Sequence, residues 1–91
     1  MNLLQVDHVA VPKSSTALSA LISIQPGLVE ICFFCSDQNV LYEMGKAVNL
    51  ATSQPICPRN ETAGKPITAA AAATLNFASR NNNVLTIEQY G

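Results

Sequence analysis

The sequence predicts a small all-β protein, an antiparallel β-sandwich or barrel of about six to seven short strands with one short helical segment near residues 14–22. Two observations carry this prediction. Short stretches alternate between apolar and polar residues, and turn-forming residues separate them at intervals of roughly 8 to 12 residues. No strand–helix–strand rhythm indicates a parallel sheet, and a chain of 91 residues fits a single domain, 1–91.

The first strand is predicted over residues 6–12, "VDHVAVP", where apolar and polar positions alternate until Pro12 ends the run. The next segment, "KSSTALSALISI", has Leu18, Leu21 and Ile22 at helical spacing. It is too short for a stable isolated helix, so we expect one or two turns packed on a sheet.

The most apolar run is "LVEICFFC", residues 28–35, and it predicts a central strand buried on both faces. We expect residues 40–44, "VLYEM", to return beside it as a hairpin, with Gly45 ending that strand. Residues 47–51 are interpreted as a short extended piece.

The second half begins with a loop over 52–64, since its prolines and short polar residues disfavour regular structure. A short strand over 65–68 and one helical turn in the alanine run 69–73 are expected next. Two alternating segments, 74–79 and 84–91, are separated by "RNNN" and predict a terminal hairpin.

The inward positions of these strands define a predicted core. Its members are large apolar residues: Val29, Ile31, Phe33, Leu41, Leu75, Phe77, Leu85 and Ile87.

The low charge of the chain limits the classes of partner. The formal net charge is −1, only 12% of residues are charged, and the five Lys and Arg residues are scattered. Nucleic acid is therefore not expected as a partner, because no basic cluster could neutralise phosphates. The longest apolar candidate, 17–24, is far shorter than the roughly 20 residues of a membrane span. No basic residue precedes Lys13, so no signal peptide is expected and we expect folding in a cytoplasm.

The pair Cys32 and Cys35 has the spacing of a metal or redox motif. In a strand, however, residues three apart face opposite sides, so these sulfurs would diverge rather than chelate. A zinc site combining them with Cys57 and His8 matches no standard spacing. We therefore expect small buried side chains, no metal and no cofactor.

No catalytic residues are assigned. His8 is the only histidine, and the carboxylates form no paired or metal-binding pattern. The glycines are isolated, so no phosphate-binding loop is expected, and the chain is predicted not to be an enzyme.

Four stretches resemble small β-sandwich virion structural proteins of tailed bacteriophages, of the capsid decoration (cement) or tail-associated type. They are a Leu–x–x–Leu segment, a strand with a following glycine, an Ala–Thr–x–x–Pro–Ile stretch and a terminal strand ending in aromatic–Gly, at 18–21, 40–45, 51–56 and 84–91. The cysteines and the loop "CPRNETAGKP" depart from that pattern.

The resemblance implies a capsid decoration protein that binds and stabilises the assembled shell within a virion put together in the host cytoplasm. Its implied partners are the major capsid protein or other virion proteins, and a homotrimer is the implied oligomer. Alternatives are a tail, neck or fibre component, or a β module that binds a host surface or carbohydrate.

Partner contact is predicted at the N-terminus and the 52–64 loop. Leu3 and Leu4 are apolar yet precede the predicted first strand, which suggests a docking arm over residues 1–5. The alternative is that they pack on the domain's own sheet. In the loop, prolines reduce the entropy lost on binding. The contact residues predicted are Leu3, Leu4, Pro55, Pro58 and Arg59.

Overall fold

A computed structural model describes residues 2–35, 39–56 and 66–91. In chain order the elements are strand β1 (Leu3–Ala10), strand β2 (Thr16–Ala17), helix α1 (Leu18–Leu21), strand β3 (Glu30–Phe34), strand β4 (Val40–Met44), strand β5 (Gln54–Pro55), helix α2 (Ala69–Ala72), strand β6 (Leu75–Ser79) and strand β7 (Val84–Tyr90). The all-β prediction is confirmed.

The strands form two antiparallel sheets that do not close into a barrel. One sheet has the order β1-β7-β3, and the other has the order β2-β6-β4-β5. Their inner faces meet in one apolar cluster, to which β3 and β7 contribute from one side and β4 and β6 from the other. A sandwich of sheets therefore surrounds a single core.

Two predicted hairpins are wrong. Residues 28–35 and 40–44 do not pair, because β3 bonds to β7 while β4 bonds to β6 and β5. Likewise β6 and β7 lie in different sheets. In both cases the connection crosses from one sheet to the other, so that consecutive strands face each other across the core instead of sharing hydrogen bonds.

Hydrogen bonds from Ser79 fix the connection that crosses from β6 to β7. Ser79 ends β6, is fully buried, and its hydroxyl donates to the Val11 carbonyl just beyond β1. The same oxygen accepts the Asn83 backbone N–H at 3.0 Å, and the Ser79 N–H donates to the Pro12 carbonyl at 2.9 Å. Between them, Asn82 has φ 52°, a left-handed conformation that asparagine tolerates. The connection is thereby tied to the neighbouring sheet.

Other sequence-based boundaries need correction. Strand β1 begins at Leu3 rather than at residue 6, and β3 is an edge strand by hydrogen bonding although Cys32 and Phe33 are both buried. Residues 47–51 form turns and irregular backbone rather than a strand. In the described part of the segment predicted as a strand over 65–68, Pro66 forms an isolated bridge to Glu30. The two-residue strands β2 and β5 were not predicted, since alternation is not visible in two residues. The helical segment near 14–22 and the alanine turn are confirmed as α1 and α2.

Burial of the predicted core is confirmed except at one position, although Leu41 is buried outside the apolar cluster between the sheets, to which β4 contributes Val40 instead. Seven of its eight residues are no more than 1% exposed, whereas Val29 is 48% exposed. Gly27, at φ 83°, turns the chain just before β3, and Leu28 takes the buried position instead. The alternation of inward and outward side chains along β3 therefore does not extend back to Val29.

Candidate interaction surface

Strand β1 forms an open edge of the three-stranded sheet. It is eight residues long and pairs only with β7 among the described residues. The outermost strands of the other sheet, β2 and β5, have two residues each. The remaining edge, β3, is partly covered where Ile67 N–H donates to the Val29 carbonyl at 2.9 Å. In the part of the chain that the structure describes, β1 is thus the longest open strand edge, and residues 3–10 are called the β1 edge below.

The register of β1 shows which backbone groups face outward. The Val11 N–H donates to the Asn83 carbonyl at 2.9 Å, and from there the pairs with β7 step down as Val9↔Leu85, Asp7↔Ile87 and Gln5↔Gln89. In an antiparallel ladder, alternate residues bond to opposite neighbours. The N–H and C=O groups of Val6, His8 and Ala10 therefore point away from β7, toward a further strand position.

The side chains along this edge are unusually apolar for an exposed strand. Leu3, Leu4 and Val6 are 53%, 39% and 40% exposed. Strands at sheet edges commonly carry lysine, proline or other features that discourage pairing. The β1 edge, "LLQVDHVA", contains neither lysine nor proline. A bulge between Leu3 and Gln5 is its one irregularity.

The N-terminal residues are part of the sheet rather than a separate arm. Asn2 and Gly91 exchange two backbone hydrogen bonds, of 2.7 and 2.9 Å, and Leu3 lies opposite Tyr90. Leu4 Cδ1 lies only 2.8 Å from where a Cβ on Gly91 would stand. The expectation that Leu3 and Leu4 precede the first strand is therefore corrected. Their contact with a partner stays a prediction.

A chain of glutamines supports this end of β1 from the inner face. Gln89 is fully buried, and its side-chain oxygen accepts the Gln25 backbone N–H at 2.8 Å while its amide donates to the Ser23 carbonyl at 3.0 Å. The Gln25 amide donates to Gln5 at 2.6 Å, and the Gln5 amide donates to Asp7 at 2.7 Å. The segment before β3 is thus fastened over β7, and Gln5 and Asp7 are held on one face of β1.

The remaining predicted contact residues are not brought to this edge. Pro55 is exposed in β5, at the margin of the other sheet. Pro58 and Arg59 lie outside the described residues. The sequence predicts contact at Leu3 and Leu4 but not at Val6. Val6 occupies an ordinary strand position, and no pattern around it indicates that its strand lies at the edge of a sheet.

The two described cysteines lie in different surroundings. Cys32 is opposite Glu88 on the outer face of β3, and both of its neighbours in the strand point inward. Cys35 is in the core cluster, where its thiol donates to the Ile56 carbonyl at 3.5 Å. The sulfurs thus diverge as strand geometry requires. Cys57 lies outside the described residues, and its place in the expectation of a metal-free protein stays a prediction.

The other polar groups of the described residues make mostly local contacts within and between strands. His8 Nδ1 lies 2.9 Å from Thr86 Oγ1 on the exposed outer face, while Asp7 faces the other side of the same strand. Glu43 accepts from the Ser53 hydroxyl at 2.7 Å and lies 3.9 Å from the Lys46 ammonium. Over residues 2–35, 39–56 and 66–91, no three His, Cys, Asp or Glu side chains are grouped to hold a metal ion.

A shallow apolar cleft of about 220 Å³ lies beside β3. It is lined by Leu28, Val29, Pro66, Ile67 and Thr68. Val29, predicted as core, instead forms part of its wall. None of these lining residues is charged, so the cleft offers mainly shape and apolar surface.

The chain was compared with known proteins. No protein-family model, no curated protein and no solved structure matches it. In the described part of the chain, no helix is long and apolar enough to cross a membrane.

Proposed function

We propose that this chain is a structural protein that works by binding other protein subunits through the β1 edge. The observation that carries the proposal is an eight-residue open strand with three exposed apolar side chains and no lysine or proline. Open strand edges bind further strands through backbone hydrogen bonds, and the side chains beside them supply apolar contact.

The setting we propose is the bacteriophage virion, with the chain acting as a capsid decoration protein on the assembled shell. The sequence resemblance supports this setting. A small all-β domain of low charge, whose polar groups form hydrogen bonds in turns and between strands, also fits it. Its partners would be the major capsid protein or other virion proteins.

The test is co-sedimentation of the purified protein with shells of the capsid protein from the same genome. Wild-type protein is expected to sediment with the shells. A variant with Leu3→Ser and Leu4→Ser should bind several-fold more weakly, because both substitutions remove exposed apolar surface at the β1 edge. Deleting residues 1–5 is a poorer test, since it also removes the Asn2–Gly91 hydrogen bonds.

The matched control is Met44→Ser. Met44 is 50% exposed, close to the 53% of Leu3, but it ends β4 in the other sheet. It should leave shell binding unchanged. Wild-type protein that stays in the supernatant would contradict the virion setting, and equal losses in both variants would contradict the role of the β1 edge.

A further inference from the structure

We propose that the partner at the β1 edge is a second copy of this chain, paired antiparallel with its own β1 about a two-fold axis at Val6. The two three-stranded sheets would join into one continuous sheet, in the order β3-β7-β1-β1-β7-β3. This inference rests on the proposed function: the subunit bound at the β1 edge is a second copy of this chain, and the resulting dimer is then the form that binds the shell.

The choice of β1 on both copies follows from the edges that the fold offers. A head-to-tail contact would need a second long open edge on the same chain. In the described residues, β2 and β5 have two residues each, and the start of β3 is covered by the bridge between Glu30 and Pro66. Pairing β1 with β1 uses the long edge twice and closes at two copies.

Hydrogen-bond geometry restricts the register. Val6, His8 and Ala10 direct their backbone groups outward, so in the paired strands these residues must lie opposite one another. A two-fold axis at position 6, 7 or 8 meets this requirement and keeps a long ladder of hydrogen bonds. An axis at Val6 pairs residues 3–9 of each copy, whereas an axis at His8 pairs only 6–10 of the strand Leu3–Ala10.

Charge distinguishes the register with the axis at Val6 from the register with the axis at Asp7, both of which form longer ladders than an axis at His8. An axis at Asp7 would set Asp7 directly opposite its own copy, and like charges opposite each other are destabilising. An axis at Val6 places Asp7 opposite the Gln5 of the second copy. The Gln5 amide uses one N–H on Asp7 within its own chain, at 2.7 Å, and an amide nitrogen carries two N–H groups. The second N–H can therefore be donated across the axis.

The same register places apolar surface at the centre. Val6 lies on the outer face opposite Glu88 of its own sheet, and it would meet the Val6 side chain of the second copy. Two opposed valine side chains would remove apolar surface from water. The bulge between Leu3 and Gln5 lies toward the end of the ladder and leaves residues 5–7 regular.

The first experiment is sedimentation velocity on the full chain at micromolar concentration. Wild-type protein is expected to be a dimer. Val6→Lys should make it monomeric, with the dissociation constant raised at least about tenfold, because two ammonium groups would meet at the axis. Lysine is chosen because Glu88 lies opposite position 6 in the same sheet, where its carboxylate can form an ion pair with the ammonium within one chain.

The matched control is Val84→Lys. Val84 is 56% exposed on the same sheet face, but it belongs to the central strand β7. It should remain dimeric. Monomeric wild-type protein, or a trimer as the sequence resemblance implies, would overturn the proposal, and so would a Val6→Lys variant that stays dimeric.

A second experiment tests the register, in chains that also carry Cys57→Ser to remove a competing thiol. Opposed residues in a hydrogen-bonded pair have Cα atoms about 5.5 Å apart, within disulfide range. Val6→Cys is therefore expected to cross-link on oxidation. Two copies of position 8 would lie roughly 13 Å apart, so His8→Cys should not. Cross-linking of the His8 variant instead of the Val6 variant would overturn the register.

Failure here is distinguishable from failure of the proposed function. Protein that dimerises but does not bind shells retains the inference and loses the virion setting. Protein that binds shells through the β1 edge yet is monomeric in solution retains the function and loses the self-pairing.

Discussion

Phe33 of β3 and Phe77 of β6 meet edge to face, with ring centres 5.0 Å apart and planes inclined by 71°. Each belongs to a different sheet, and both are fully buried. This arrangement brings the positive edge of one ring to the negative face of the other. The pair therefore joins the two layers at the centre of the sandwich.

Phe33→Ala should lower the free energy of unfolding by about 3–5 kcal/mol, since it leaves a cavity between the sheets. A double-mutant cycle with Phe77→Ala should give a coupling of about 0.5–1.5 kcal/mol. Urea unfolding measures both quantities. Val29→Ala is the control, and because Val29 is half exposed, its effect should stay within about 0.5 kcal/mol. A loss below about 1 kcal/mol for Phe33→Ala would contradict the described core.

Ser79→Ala should destabilise the protein by about 1–3 kcal/mol, because the buried Val11 carbonyl and the Asn83 N–H would both lose their partner. Ser15→Ala provides the comparison. The Ser15 hydroxyl also accepts a backbone N–H, from Val48 at 2.9 Å, but at an exposed site where water can replace it. Similar losses in the two variants, measured by thermal unfolding, would show that Ser79 does not fasten the crossing between sheets.

Gln89→Leu should cost about 1–3 kcal/mol despite adding apolar surface to a buried position, since the Gln25 N–H and the Ser23 carbonyl would be left unpaired. Gln54→Leu is the matched substitution. Gln54 is exposed, and among the described residues its side-chain oxygen accepts the Tyr42 hydroxyl at 3.2 Å, so its loss should be small. Amide hydrogen exchange offers a direct check, because the Gln25 N–H should exchange faster in the Gln89 variant alone.

The cysteines are expected to be reduced and free of metal in the purified protein. Metal analysis should give far less than one zinc per chain, and stoichiometric zinc would contradict the prediction. Cys35→Ser should reduce stability more than Cys35→Ala, because a hydroxyl is costlier to bury than a methyl group unless it finds a good partner. Equal stability of these variants in urea would show that the Ile56 carbonyl satisfies the new hydroxyl fully.

The sequence by itself determined the approximate positions of the longer strands and most of the side chains that are buried along them. Phe33, Phe77, Leu85 and Ile87 follow from alternation, a property that each segment carries locally. It also indicated that Cys32 and Cys35 would diverge, because strand geometry sets the direction of both side chains.

Only the tertiary structure decided which strands are neighbours. A four-residue connection such as 80–83 can close a hairpin or cross between sheets, and the bonds from Ser79 to residues distant in sequence select the crossing. The same holds for the candidate site. Val6 reads as an ordinary strand residue, and it becomes part of a candidate interaction surface because, among the described residues, β7 is paired on both sides while β1 is paired on one. Edge position depends on the whole set of long-range pairings, and no local pattern in the sequence contains it.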